Sequence, residues 1–392
     1  LKFRIGLIGR IIIAIALAVG LGLLLPAIHE GFANWVVRLF ATFNMLFGGF
    51  LNFVVPLIII GFIAPGIAQL GKGSGKLLGI ATVFAYASTI FAGIMAFVVA
   101  TAILPNFIGS ATDTSVAEAA REAGTAFFDL EMPPVMGIMT ALLIAFLFGI
   151  GMASIGSKTM LPVFEEFQLI IEKVISFVII PLLPVHIFGI FLNMTYTGEV
   201  GKVLSVFALV FVMIIILHLL MLTIQYTVAG AMSKRNPLFL MKTMAPAYFT
   251  ALGTQSSAAT IPVTLRQARK TGASEKVTDF TIPLFATIHL SGSTITLVSC
   301  SIGVLLMNGL PVSFAEYLPF ILMLGVTMIA APGVPGGAVM AAVGLLSSML
   351  GFSEAMVALM IALYMAQDSF GTATNVTGDG AIAIMVDKFT KK

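Results

Sequence analysis

The stretch from Val203 to Met232 carries no Asp, Glu, Lys or Arg, and a segment of that kind has few places to fold. A helix needs roughly 20 apolar residues to cross the hydrocarbon layer. Five further runs, near 11–27, 36–68, 77–104, 133–156 and 163–194, share this character. Of all 392 residues, 59% are hydrophobic and only 9% charged, against about 25% charged in a soluble domain. Water therefore cannot be the main solvent. Backbone groups in hydrocarbon must be satisfied internally, which leaves helices or closed barrels. The short alternating segments of a barrel are absent, so an all-α polytopic membrane protein is expected. Lys2 and Arg4 precede the first run with no small-residue cleavage site after it, so it reads as a retained span. Cys300 is the single cysteine, which excludes an internal disulfide and a multi-cysteine metal site.

Loop charge orients these spans. With the N-terminus in the cytoplasm, the 71–76 loop lies inside with Lys72 and Lys76. The 106–131 loop lies outside, with Asp113, Glu118, Glu122, Asp129 and Glu131 against Arg121 alone. Lys158 marks the next inner loop, Glu199 and Lys202 the next outer one, and Lys234 and Arg235 close the sixth span inside. Beyond them simple alternation fails. The apolar segment 237–265 is flanked on both sides by basic residues, Lys234, Arg235 and Lys242 before it and Arg266, Arg269, Lys270 and Lys276 after it. A segment that starts and ends in the cytoplasm must re-enter, and its middle, Gly253 to Pro262, reads as a polar, proline-broken tip. A crossing over about 277–307 follows. A second re-entrant hairpin, from outside, spans 317–350, broken at Ala330-Ala331-Pro332-Gly333-Val334-Pro335-Gly336-Gly337. The last span, about 355–386, returns the chain to Lys388, Lys391 and Lys392. Eight transmembrane helices and two hairpins result, with inverted repeats.

Broken backbone at membrane depth is tolerated only where protein or a water-filled cavity satisfies it. In secondary transporters such breaks supply helix termini and carbonyls to substrate and ions. The competing reading, in which the prolines and glycines are mere kinks, leaves the adjoining polar runs unexplained. The last span carries Asp368, Thr372, Asn375 and Asp379, whose spacings of 4, 3 and 4 put all four on one helical face. An intramembrane carboxylate costs roughly 2.5–3.5 kcal/mol on insertion scales. Two on one face call for partners, and a substrate ammonium and a cation are the natural ones.

Three motifs resemble the glutamate transporter family, the dicarboxylate/amino acid:cation symporters. Gln255-Ser256-Ser257-Ala258-Ala259-Thr260-Ile261-Pro262 resembles its serine-rich first hairpin tip, Gly333-Val334-Pro335-Gly336 its second, and Asn375-Val376-Thr377-Gly378-Asp379 its final-helix motif. The resemblance spans nearly the whole chain and is densest over 236–388. It implies an elevator-type homotrimer in the cell (inner) membrane, with both termini cytoplasmic. Scaffold helices 1–2 would occupy 1–70 and scaffold helices 4–5 would occupy 133–200. Helix 3 and the external loop (71–132), helix 6 (201–235) and the core (236–392) would form the moving part, with interrupted seventh and eighth helices. By the same resemblance Asp368 holds the substrate ammonium and Asn375 its carboxylate, with Thr372 on the substrate beside it. The tip at Gln255, Ser256, Ser257 and Ala258 caps that carboxylate, and the tip at Gly333, Val334, Pro335 and Gly336 serves as gate. Asp379 ligates a cation with carbonyls near Phe285, His289 and Asn375. A second cation uses carbonyls near Thr287, Met328, Ile329 and Ala331.

The chain also departs from the family pattern. Relatives that take acidic amino acids carry an arginine before the threonine, where Gly371 stands here, and no Arg occurs from 277 to 392. Some relatives also have Arg where this chain has Gln255. A second substrate carboxylate would be buried without a cation, at a cost of several kcal/mol, so a neutral amino acid or another small amine-bearing solute is the expected substrate. An acidic amino acid or dicarboxylate is the alternative. The family's Asn-Met-Asp-Gly-Thr is replaced by His289-Leu290-Ser291-Gly292-Ser293, and the third helix offers Phe84 and Ala85 where hydroxyls are expected, with Ser88 and Thr89 one turn on. Hard cations want oxygen ligands, so one sodium site is expected to be missing. His289 is then either a proton or fixed-charge site or a neutral core histidine. The coupling ion is Na+ or H+, with no cofactor and no nucleic-acid partner. No nucleotide loop, metalloprotease pair or nucleophile elbow is present, so a membrane enzyme is the main rival from another class and a channel a further one. His186 and His218, without neighbouring acids, read as packing residues.

Overall fold

The computed structural model describes residues 7–70, 75–108, 125–198, 200–328, 331 and 335–390. The charges at Lys2, Arg4, Lys72, Asp113, Glu118, Arg121, Glu122, Glu199, Lys391 and Lys392 lie outside the described residues. Helices α1 (Leu7–Ile28), α2 (Glu30–Leu70) and α3 (Gly75–Ile103) come first, followed by a single turn, α4 (Pro105–Ile108). Next are α5 (Ile138–Ile155) and α6 (Met160–Val174), which runs through a π-helical turn at Ile175–Ile179 into α7 (Ile180–Tyr196). Pro181 sits just past that wide turn; a ring without an N–H fits poorly into an unmodified α-ladder. Helix α8 spans Val200–Ser233. Among the described residues there is no strand, and eight helical stretches are long and apolar enough to cross a membrane. This is a multi-pass membrane protein.

The second half is built from broken helices. Helices α9 (Pro237–Thr254) and α10 (Ser257–Lys270) fold back on each other through two residues only. Gln255, at φ 55, ends α9 in the left-handed conformation, and the Ser256 side chain accepts from Ala259 N at 3.2 Å to cap α10. The break is thus tighter than the 253–262 tip expected from sequence: Pro262 lies inside α10, where its fixed φ is compatible with helix. Helices α11 (Glu275–Ile288) and α12 (Ser291–Met307) are separated by His289 and Leu290. Helices α13 (Phe314–Met328) and α14 (Gly337–Leu350) form the second folded-back pair. Helix α15 runs unbroken over Glu354–Thr390, 37 residues. The expected interruption of the eighth helix is therefore not there. The segment contains no proline, so every N–H can continue the ladder, and its glycines sit where other backbones approach.

Packing falls into two groups. Helix α2 packs on α5, α6 and α7, and α1 on α7; α15 is surrounded by α8, α9, α10, α11 and α12, with α3 against α12 and α13. Outward side chains are apolar: Leu147 is 71% exposed and Phe177 76%. The interior is mainly apolar but encloses a polar strip. Ser291, Ser293, Thr294, Thr296, Ser299 and Ser301 of α12 are buried, as are Asp368, Thr374, Asn375 and Asp379 of α15, the helix it packs on. Apolar residues outside and polar residues within is the pattern of a protein dissolved in lipid around a polar centre.

Candidate functional site

Asp368 lies mid-way along α15 and is 3% exposed. Its Oδ2 accepts from Gly336 N at 2.7 Å, tying α15 to the α13–α14 turn. Gly336 holds φ 74, and a β-carbon there would meet Met365 Sδ at 2.7 Å. A side chain at 336 would thus be strained and crowded together. Pro335 adjoins it in the same turn, whereas Ile329, Gly333 and Val334 lie outside the described residues. One turn before Asp368, Tyr364 is buried with its hydroxyl beside the carboxylate and Ser293.

Asn375 is engaged differently from the expectation. Its Oδ1 accepts from Gly292 N at 2.7 Å and Ser293 N at 3.2 Å, and its Nδ2 donates to Ser293 Oγ at 2.9 Å. The first N–H groups of a helix have no internal partner, and Leu290 offers α12 no side-chain cap. The amide of α15 supplies it. Such closeness requires glycine, since a β-carbon on Gly292 would meet Gly371 O at 2.4 Å and Thr374 Cβ at 2.7 Å. A β-carbon on Gly371 would find ordinary contacts, Ser293 N and Thr296 Oγ1, both at 3.5 Å. Thr372 is buried beside them. His218 of α8 places Nε2 3.0 Å from Gly292 O and 3.3 Å from Thr296 Oγ1. It packs, as expected, but against the start of α12.

Asp379, 1% exposed, meets His289 at the α11–α12 break, with Oδ1 2.8 Å from Nδ1. The other ring nitrogen of His289 lies 3.0 Å from Ser88 Oγ and 3.3 Å from Gln225 Nε2. Gln225 Nε2 also donates to Ser88 Oγ at 3.0 Å and to Ser291 Oγ at 3.4 Å. Gly378 is small for a reason: a β-carbon there would lie 2.6 Å from Gln225 Oε1 and 3.0 Å from His289 Cε1. Tyr226 OH donates to Thr377 O at 2.6 Å. The Phe285 carbonyl accepts from His289 N at 2.9 Å, and that of Met328 from Ala331 N at 3.2 Å, so each already serves a helix end. Thr287 is exposed, its hydroxyl donating to Leu284 O at 2.8 Å. Ser88, one turn beyond Phe84 and Ala85, is the hydroxyl of α3 that reaches the centre.

At the α9–α10 turn Gln255 and Ser256 are partly buried, Ser257 is buried and Ala258 exposed. Thr254 Oγ1 and Thr260 Oγ1 lie 3.1 Å apart across the turn. Sequence reasoning missed Gln225, Tyr226, Ser293 and Tyr364. For Tyr364 a signal existed, its i−4 position relative to Asp368 on the polar face. Gln225 and Tyr226 announce themselves only as polar groups in an otherwise apolar run.

Comparison with known proteins bears on the family of the chain. The serine/threonine transporter SstT of Streptococcus thermophilus is 27% identical over 402 residues, covering 98% of this chain and 96% of that protein. An excitatory amino acid transporter of Caenorhabditis elegans is 26% identical over 265 residues, covering 65% of this chain and 52% of that protein. The sequence pattern of the sodium:dicarboxylate symporter family matches residues 7–389. With that match running from α1 to the end of α15, the chain belongs to the sodium:dicarboxylate symporter family.

Proposed function

We propose that this chain is a secondary active symporter that carries a neutral amino acid into the cell together with sodium. The observation that carries the reading is the buried Asp368 carboxylate, held against the α13–α14 turn in a half of the chain that has no arginine after Arg269. A buried carboxylate of this kind is matched by an ammonium, and a second substrate carboxylate would find no guanidinium fork. The name of the streptococcal relative, a serine/threonine transporter, supports a neutral amino acid. Membership of a symporter family makes the protein a transporter rather than an enzyme.

In this reading Asp368 holds the substrate ammonium and the turn at Gln255, Ser256, Ser257 and Ala258 faces its carboxylate, with Thr372 beside it. Gly333 to Gly336 form the gate. Asn375 spends its amide on α12 and so acts as a positioning residue in this state. The folded-back pairs are re-entrant hairpins: α9 and α10, of 18 and 14 residues, are about 27 and 21 Å long, and α13 and α14, of 15 and 14 residues, about 22 and 21 Å. Each is short of the ~30 Å hydrocarbon layer. The helices packed around α15 would move as one body, like an elevator, against a trimeric scaffold of α1, α2, α5, α6 and α7. The termini are cytoplasmic, in the cell membrane.

Sodium is the coupling ion suggested by the family. At Asp379 its place would be contested, because His289 already takes one carboxylate oxygen. Carbonyls at the ends of α11 and α13, near Phe285, Thr287, Met328, Ile329 and Ala331, are the remaining oxygen donors. The His289–Asp379 contact favours a second reading, coupling to a proton. Uptake of a panel of amino acids into proteoliposomes separates these readings. A sodium gradient alone should drive accumulation of neutral amino acids. Accumulation driven by a pH gradient alone would assign coupling to the proton, and preference for aspartate or succinate would overturn the substrate reading.

A further inference from the structure

Tyr364 is not used by the account above, yet it stands at the centre of the site. It precedes Asp368 by one helical turn on the same face of α15 and is fully buried at 0% exposure. Its hydroxyl makes no hydrogen bond of good geometry, although the Asp368 carboxylate and the Ser293 hydroxyl are its neighbours. Buried tyrosine hydroxyls ordinarily find a partner, and leaving one unpaired is destabilising. Phenylalanine would fill the same volume without that cost, and this chain uses phenylalanine 32 times. The groups around Tyr364 are partly engaged already. Asp368 Oδ2 takes the Gly336 N–H, and Ser293 Oγ accepts from Asn375 Nδ2, which leaves the serine its own proton to donate. One turn past Asp368, Gly371 contributes no side chain. Tyr364 and Ser293 therefore present two O–H groups to the same place, next to the carboxylate that would hold an ammonium.

We infer that Tyr364, with Ser293, reads a hydroxyl on the substrate side chain and selects hydroxyl-bearing amino acids over their deoxy counterparts. This rests on the amino-acid reading above and names its substrate class by chemistry. A site that offers a polar pocket to a substrate hydroxyl rejects the analogue without one, because its own buried groups then stay unpaired. An apolar pocket separates such isosteres weakly.

The test uses purified protein in proteoliposomes, with L-serine and L-alanine as the pair differing by one oxygen. Wild-type protein should favour serine over alanine in kcat/KM by about tenfold or more, and Tyr364→Phe should lower that ratio about tenfold. A ratio unchanged by the substitution overturns the inference. A second measurement needs no variant: calorimetric titration of wild-type protein should give a Kd for serine well below that for alanine, and equal values would overturn the inference too. Uptake of neither amino acid by wild-type protein is a different result, since it removes the amino-acid reading itself and this role with it.

Discussion

Asp368 and Asp379 stand eleven residues apart on α15, about 16 Å along its axis, so they serve separate places. Asp379 has an ionisable protein partner in His289, while Asp368 faces neutral groups, the Gly336 N–H and the Tyr364 hydroxyl. The less committed carboxylate is the one suited to a transient partner. In the proposed reading, selectivity at this scale turns on Gly371. Its β-carbon direction faces Ser293 N and Thr296 Oγ1 at ordinary contact distances, and Gly371→Arg should shift preference toward acidic amino acids. Competition uptake with aspartate against serine checks this; unchanged selectivity would argue for a different substrate pose. Asn375→Ala should orphan two buried N–H groups at the start of α12, Gly292 and Ser293. At about 1–3 kcal/mol for an unsatisfied group, its thermal midpoint in detergent should fall measurably, and a midpoint equal to wild type would remove the capping role.

At the scale of elements, loop charge and composition made the eight spans and both folded-back pairs legible before any coordinates. The basic clusters around 237–265 and the proline-glycine run at 332–337 were signals enough. What the family resemblance overstated was the eighth helix, which it implied to be interrupted and which runs unbroken over Glu354–Thr390. In space Gly371, Gly378 and Gly380 mark where α12, α8 and α9 press against a continuous helix. What sequence missed were partners drawn from distant segments: Gln225 and Ser88 meet His289 only because α3 and α8 are packed on the α11–α12 break. No local pattern encodes such a meeting. The tight α12–α15 approach gives its own prediction. Gly292→Ala would place a β-carbon 2.4 Å from Gly371 O, and overpacking of this kind costs about 1–3 kcal/mol. Lower thermal stability together with reduced substrate affinity is expected, and an unperturbed variant would show that the two helices do not meet as described.

Over the whole molecule the apolar exterior, the polar α12–α15 centre and the two packing groups give a body that can sit in lipid and move a charged zwitterion past it. In the proposed reading Asp368 holds the substrate ammonium, and because a neutral amino acid carries no net charge, the charge that crosses with it is that of the coupling ion. Each such charge adds about 2.3 kcal/mol per 100 mV of membrane potential. Current is therefore the most direct readout. Proteoliposomes adsorbed on a solid-supported membrane should give a sodium-dependent inward current on addition of serine, little on addition of aspartate, and none for Asp368→Asn, with that variant still folded and monodisperse. An undiminished serine current in Asp368→Asn, or an aspartate current equal to that of serine in wild-type protein, would contradict the account.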